Sequence, residues 1–100
     1  AGREVNRLPG YHFEDLAWRF SHKIMQPLMV TLDPSDDPAE LVTHGGQEFN
    51  YVVQGSVILS YDGREYQLNE GDSAYFDPMH PHGQRFGGSE PAKFLTFIAE

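Results

Sequence analysis

One hundred residues suffice for one small domain with a single core, and an apolar fraction of 39% with 13% aromatic residues belongs to a packed globule, not a disordered chain. A balance of 15 acidic against 7 basic residues, net −8, excludes a basic nucleic-acid surface and attraction to an anionic membrane. The absence of cysteine excludes disulfides and thiolate metal sites, so any metal must be held by nitrogen and oxygen. No apolar run approaches the roughly 18 residues of a spanning helix, and no signal peptide is visible, so the cytoplasm is the expected location. The chain begins Ala1-Gly2-Arg3 without a methionine, as expected of a processed tag or a domain cut from a longer protein.

Residues 1–10 are polar and end in Leu8-Pro9-Gly10, which predicts a loose N-terminal arm ahead of a domain over 11–100. Tyr11 and Phe13 alternate on odd positions and Leu16, Trp18 and Phe20 on even ones. A strand with a bulge or bend near Asp15 reconciles the two registers, and a short helix is the competing reading. Ile24 to Leu32 predicts a strand, with Pro27 at an edge or a bulge, and Asp33 to Ala39 a solvated acidic loop. From Leu41 onward the pattern is strand and turn with no helical interruption. Strands are expected over Glu48 to Val53, Ser56 to Tyr61, Arg64 to Leu68, Ser73 to Phe76 and Ala92 to Ala99. Asp62-Gly63 predicts a two-residue hairpin turn. Many short strands in one small domain mean an all-β sandwich or barrel.

Within this pattern, His44-Gly45-Gly46-Gln47-Glu48 runs from a turn into an apolar strand that ends at Gly55. In extended chain His44 and Glu48 can share a face. A second imidazole, His82, follows Pro81 in another punctuated segment. Two imidazoles and a carboxylate suit a first-row metal ion, provided that they converge. No Ser/His/Asp set, phosphate-binding glycine loop or catalytic carboxylate pair is present.

His44, Glu48 and Gly55 resemble the later part of the first cupin motif. Gly71-Asp72-Ser73-Ala74-Tyr75-Phe76, continuing to Pro81-His82, resembles the second, and together they cover about 42–86. The wording around Gln47-Glu48-Phe49-Asn50-Tyr51-Val52 and Pro81-His82-Gly83 is similar to the C-terminal cupin domain of bacterial xenobiotic-response-element-type helix-turn-helix regulators. The resemblance implies an all-β cupin-like jelly roll, homodimeric through its N-terminal strands. It further implies a sensor domain that binds a small-molecule ligand and acts on DNA only through an attached helix-turn-helix module. Two alternatives stay open: a small metal-dependent enzyme such as a dioxygenase or isomerase, and a non-catalytic module attached to another enzyme.

The resemblance assigns the metal positions to His44, Glu48 and His82, with Zn, Fe, Mn or Ni as the divalent ion. Val42 stands where metal-holding cupins carry the first histidine of a His-x-His pair, so the same three residues also fit a metal-free, hydrogen-bonded pocket floor. His80 could replace the absent ligand but is expected at the rim. Asn50 and Val52 share parity with Glu48 and are expected, with Gln84 and Tyr75, to contact ligand in the barrel. His12 and His22 are expected on the surface, and Trp18 against the sheet or at a dimer contact.

Overall fold

The computed structural model describes residues 2–8 and 11–100. Among them the chain forms nine strands and no helix. These are β1 (Arg3–Leu8), β2 (Tyr11–Asp15), β3 (Met25–Leu32), β4 (Gln47–Gln54), β5 (Ser56–Tyr61), β6 (Arg64–Asn69), β7 (Ser73–Phe76), β8 (His82–Phe86) and β9 (Ala92–Ala99). Two antiparallel sheets result, one ordered β1-β2-β3-β9-β4-β7 and the other β6-β5-β8. This is the expected jelly-roll class.

The alternation of side chains puts one face of each sheet in the core. Val30, Val52, Ala92 and Phe94 of the larger sheet meet Val57 of the smaller one, and Phe13, Leu28 and Phe86 pack around them. These residues form the apolar part of the barrel interior. Elsewhere the inward positions turn polar: the rows Asp15–Leu28–Thr96–Asn50 and Gln26–Ile98–Glu48–Phe76 run across the sheet. The register therefore sets polar side chains at Glu48, Asn50 and Thr96 beside an apolar interior.

Several local expectations resolve differently. The loose arm expected over 1–10 is replaced at Arg3–Leu8 by an edge strand paired with β2, whereas Pro9 and Gly10 lie outside the described residues. Near Asp15 the expected bend is present, with neither bulge nor helix. The Asp15 carboxylate accepts the Ala17 N–H at 3.0 Å and turns the chain out of the strand. Pro27 explains why β2 stops there. Its carbonyl accepts the Leu16 N–H at 3.1 Å, so its missing N–H faces the same side and cannot extend the ladder. Asp62 and Gly63 have φ of 49° and 82°, the mirror-image turn that matches strand twist. The strand β8 has no counterpart in the sequence expectation.

Candidate metal and ligand site

Glu48 is the centre of the site. It points inward from β4, is 4% exposed, and so needs partners for both carboxylate oxygens. Oε2 accepts three neutral donors: Asn50 Nδ2 at 3.0 Å, Gln84 Nε2 at 3.2 Å and Thr96 Oγ1 at 3.3 Å. Asn50 and Thr96 also bond each other, and Gln84 Nε2 donates to Asn50 Oδ1 at 2.8 Å. Side chains from three strands, β4, β8 and β9, thus hold the carboxylate, with β7 pairing beside Glu48 at Phe76.

The other oxygen, Oε1, faces two imidazoles. His44 Nε2 lies at 2.9 Å and His82 Nε2 at 3.3 Å. The far nitrogens are committed elsewhere: Nδ1 of His44 is 3.0 Å from the Gly45 carbonyl and Nδ1 of His82 is 2.9 Å from the His80 carbonyl. A carbonyl can only accept, so each Nδ1 carries a proton, and a ring with no second proton turns a lone pair from Nε2 toward the carboxylate. With both rings in that form three electron-rich atoms converge, and a proton or a cation among them would satisfy all three. The three donor atoms lie within 4.8 Å of one another, and second-sphere carbonyls of this kind are what hold metal-ligating histidines in place. The residues present fit a divalent ion.

Backbone contacts deliver the histidines. Val42 and His82 form an isolated antiparallel bridge, and the His44 N–H donates to the Pro78 carbonyl at 3.0 Å. Gly46 has φ of 83°, and a Cβ there would stand 1.7 Å from the Ala99 carbonyl oxygen, so only glycine lets the chain pass from His44 into β4.

The site opens into a cavity of about 710 Å³, within the range of small-molecule pockets. Phe13, Leu28, Phe86 and Phe94 supply apolar wall, while Asp33, Asp37 and Glu40 of the acidic loop stand along one side. Tyr11 reaches in from β2. Burial, and then the negative charge of Glu48 and Glu40, push its phenol well above the ordinary tyrosine value, so it stays a neutral hydroxyl.

The structure brings together His44, Glu48, His82, Asn50 and Gln84. It does not bring Val52 or Tyr75 to the cavity. Val52 is 1% exposed inside the apolar core. Tyr75 pairs with Phe49 on the outward face, is 66% exposed and bonds Gln47 through its hydroxyl. His80 points away toward Asp62, 3.7 Å from its carboxylate, and contributes its carbonyl instead of its ring. Thr96 and Tyr11 are the residues that sequence reasoning missed. Thr96 was visible as the one hydroxyl among the otherwise apolar inward positions of β9, between Phe94 and Ile98.

Among known proteins, the pattern of the Cupin domain family matches residues 28–98. The chain belongs to that family. Over 61 residues this cupin is 26% identical to the HTH-type transcriptional regulator PuuR of Escherichia coli (strain K12), a match covering 61% of the chain and 33% of the regulator. The chain thus spans about a third of the length of that curated relative. The solved cupin domain of an XRE family transcriptional regulator from Enterobacter cloacae superposes with a TM-score of 0.80 at 20% identity, over 91% of this cupin and 97% of that chain. The hydroxypropylphosphonic acid epoxidase of S. wedmorenis superposes with a TM-score of 0.79 at 24% identity, over 95% of this cupin and 53% of the enzyme. At these identities the structural likenesses concern the fold.

Proposed function

We propose that this cupin is the sensor domain of a transcriptional regulator, binding a small molecule in its barrel beside one divalent metal ion. The observation that carries the reading is the convergence of His44 Nε2, His82 Nε2 and Glu48 Oε1 at the head of a 710 Å³ cavity. A bound ion would supply positive charge and open coordination positions for oxygen or nitrogen donors of the ligand. His44, Glu48 and His82 hold it. Gln84 and the Tyr11 hydroxyl orient the polar end of the ligand, and the aromatic wall excludes water from its apolar body. The similarity to regulator cupins supports an attached helix-turn-helix module, a cytoplasmic location and action as a homodimer. Ligand can switch such a dimer only by binding one arrangement better than another.

The test is elemental analysis of protein made in metal-supplemented medium without a chelating tag, followed by thermal-shift screening of small molecules with and without EDTA. Near-stoichiometric metal that is lost in Glu48→Gln supports the reading. A metal-free protein whose melting temperature ignores added Zn, Fe, Mn and Ni overturns the metal part.

A second reading is favoured by the same donor set together with the likeness to an epoxidase: a small metal-dependent enzyme. It requires turnover. Oxygen consumption or isomerisation by the metal-loaded domain, abolished in His82→Ala, would decide for it.

A further inference from the structure

The wall of the cavity is charged in one sense. Among the described residues Asp15, Asp33, Asp37, Glu40 and Glu48 line it, against a single guanidinium, Arg85. That cation is committed elsewhere, since Arg85 Nη2 donates to the Glu65 carboxylate of β6 at 3.1 Å. Three of the carboxylates have partners as well. Glu48 is held by its hydrogen-bond network, Asp15 accepts the Ala17 N–H, and Asp33 lies 3.0 Å from His12 Nε2. Asp37 and Glu40 form no ion pair among the described residues.

Both belong to the loop between β3 and β4, and that loop is fastened to the barrel. A Cβ at Gly83 of β8 would stand 2.5 Å from the Glu40 carbonyl oxygen and 3.2 Å from the Ala39 Cβ, so the loop backbone rests directly on β8. Two residues further on, Val42 bridges to His82. The Glu40 charge is felt inside the cavity: after burial, it acts with Glu48 to keep the Tyr11 phenol protonated. Apolar walls beside carboxylates concentrate such a field, and Phe13, Phe86 and Phe94 add aromatic rings, which themselves attract cations.

We infer that the ligand of this cavity is an organic cation, an ammonium or guanidinium group carried on a small apolar body. The inference rests on the reading of the barrel as a ligand site and adds the charge of what it takes. The cationic group sits against Asp37 and Glu40, and the body against Phe13, Phe86 and Phe94. An anion would give up its water beside five carboxylates with no uncommitted cationic side chain to receive it. A neutral ligand would draw nothing from Asp37 and Glu40. A metal ion held by His44, Glu48 and His82 would offset the charge of Glu48 and leave that of the loop, so the sign of the loop side does not depend on the ion.

Isothermal titration calorimetry with three probes of one shape and different charge tests this: phenethylamine, 2-phenylethanol and phenylacetate, each titrated in EDTA and again in excess zinc. Phenethylamine is expected to bind at least about tenfold more tightly than either of the others, and to weaken as salt rises from about 20 to about 300 mM. The double variant Asp37→Asn, Glu40→Gln is expected to weaken phenethylamine about 5–20-fold and to leave 2-phenylethanol unchanged. Both side chains are exposed, so its melting temperature should match wild type. Glu70→Gln, at an exposed carboxylate in the turn between β6 and β7, is expected to change nothing. Phenylacetate or 2-phenylethanol binding as tightly as the amine overturns the inference and leaves the ligand site standing. Binding of none of the three, in EDTA or in zinc, overturns the inference and counts against the ligand site as well. An amine affinity that ignores the double variant, or that falls equally in Glu70→Gln, also overturns it.

Discussion

Replacing Glu48 by glutamine separates the two tasks of its carboxylate. Oε2 accepts three hydrogen bonds, from Asn50, Gln84 and Thr96, and a glutamine carbonyl can accept the same three. At the Oε1 position an amide nitrogen would donate to the lone pair of either imidazole, which lie at 2.9 and 3.3 Å. The metal-free variant therefore keeps its network and sheds a buried charge, and its stability should stay within about 1 kcal/mol of wild type. In a domain of this size that is a melting shift of at most about 8 °C. Metal binding should behave oppositely, because an amide is a far weaker donor than a carboxylate. At a concentration 100 times Kd a bound ion stabilises by about 2.7 kcal/mol, equivalent to roughly 10–20 °C. Scanning calorimetry of both proteins in EDTA and in excess metal measures the two effects independently. Similar melting in EDTA, with the metal increment present only in wild type, is the expected result. A loss of more than about 15 °C in EDTA, with equal metal increments, would show that the carboxylate is structural and refute the argument.

Asn50→Ala removes a donor to Glu48 and one of the two acceptors of the Gln84 amide, which keeps Glu48, so it should cost about 1–3 kcal/mol in urea unfolding and weaken metal binding as well. Gly46→Ala forces a side chain onto the Ala99 carbonyl at positive φ, and should cost at least about 2 kcal/mol by the same assay, with metal affinity falling as His44 is displaced. The raised Tyr11 pKa means that the folded state holds the phenolic proton more tightly than the unfolded chain. Its contribution to stability is complete below about pH 10 and is lost as pH rises through the raised value, so Tyr11→Phe should flatten the alkaline decline in melting temperature.

The fold was legible because its signals are local. Period-two alternation in 48–53 and 56–61, the Asp62-Gly63 turn and the glycines at 55 and 71 are each properties of a few neighbouring residues, and they sufficed for an all-β barrel. The strand β8 escaped because His82-Gly83-Gln84-Arg85-Phe86 has a polar interior and a glycine, which period-two reading scores as loop. It is held in the sheet by pairing with β5, and Gly83 is needed where a Cβ would meet the Glu40 carbonyl oxygen at 2.5 Å. Arg3–Leu8 escaped for a similar reason, since its pairing with β2 is a property of the hairpin and not of the segment.

The site was legible to the extent that parity within one strand reaches. Asn50 shares a face with Glu48 by counting alone, and it is bonded to it. Tyr75 required the register between β4 and β7. The pairing Glu48↔Phe76 sends Phe76 inward and Tyr75 out, and a slip of one residue would have reversed them. Val52 shows the converse limit: it faces inward as counted, but it is buried in the core cluster with Val30, Ala92 and Phe94, so the same parity that puts Asn50 beside Glu48 makes Val52 core. Val42 is the most informative residue. Its backbone is bridged to His82 and the residue lines the cavity, so the position that the resemblance assigns to a further histidine lies beside the site. Valine there replaces a donor with apolar wall and leaves Glu48, His44 and His82 as a three-donor set. If an ion binds there, fewer protein donors would leave more of its coordination sphere to whatever enters the cavity, and ligand binding would then depend on these three residues.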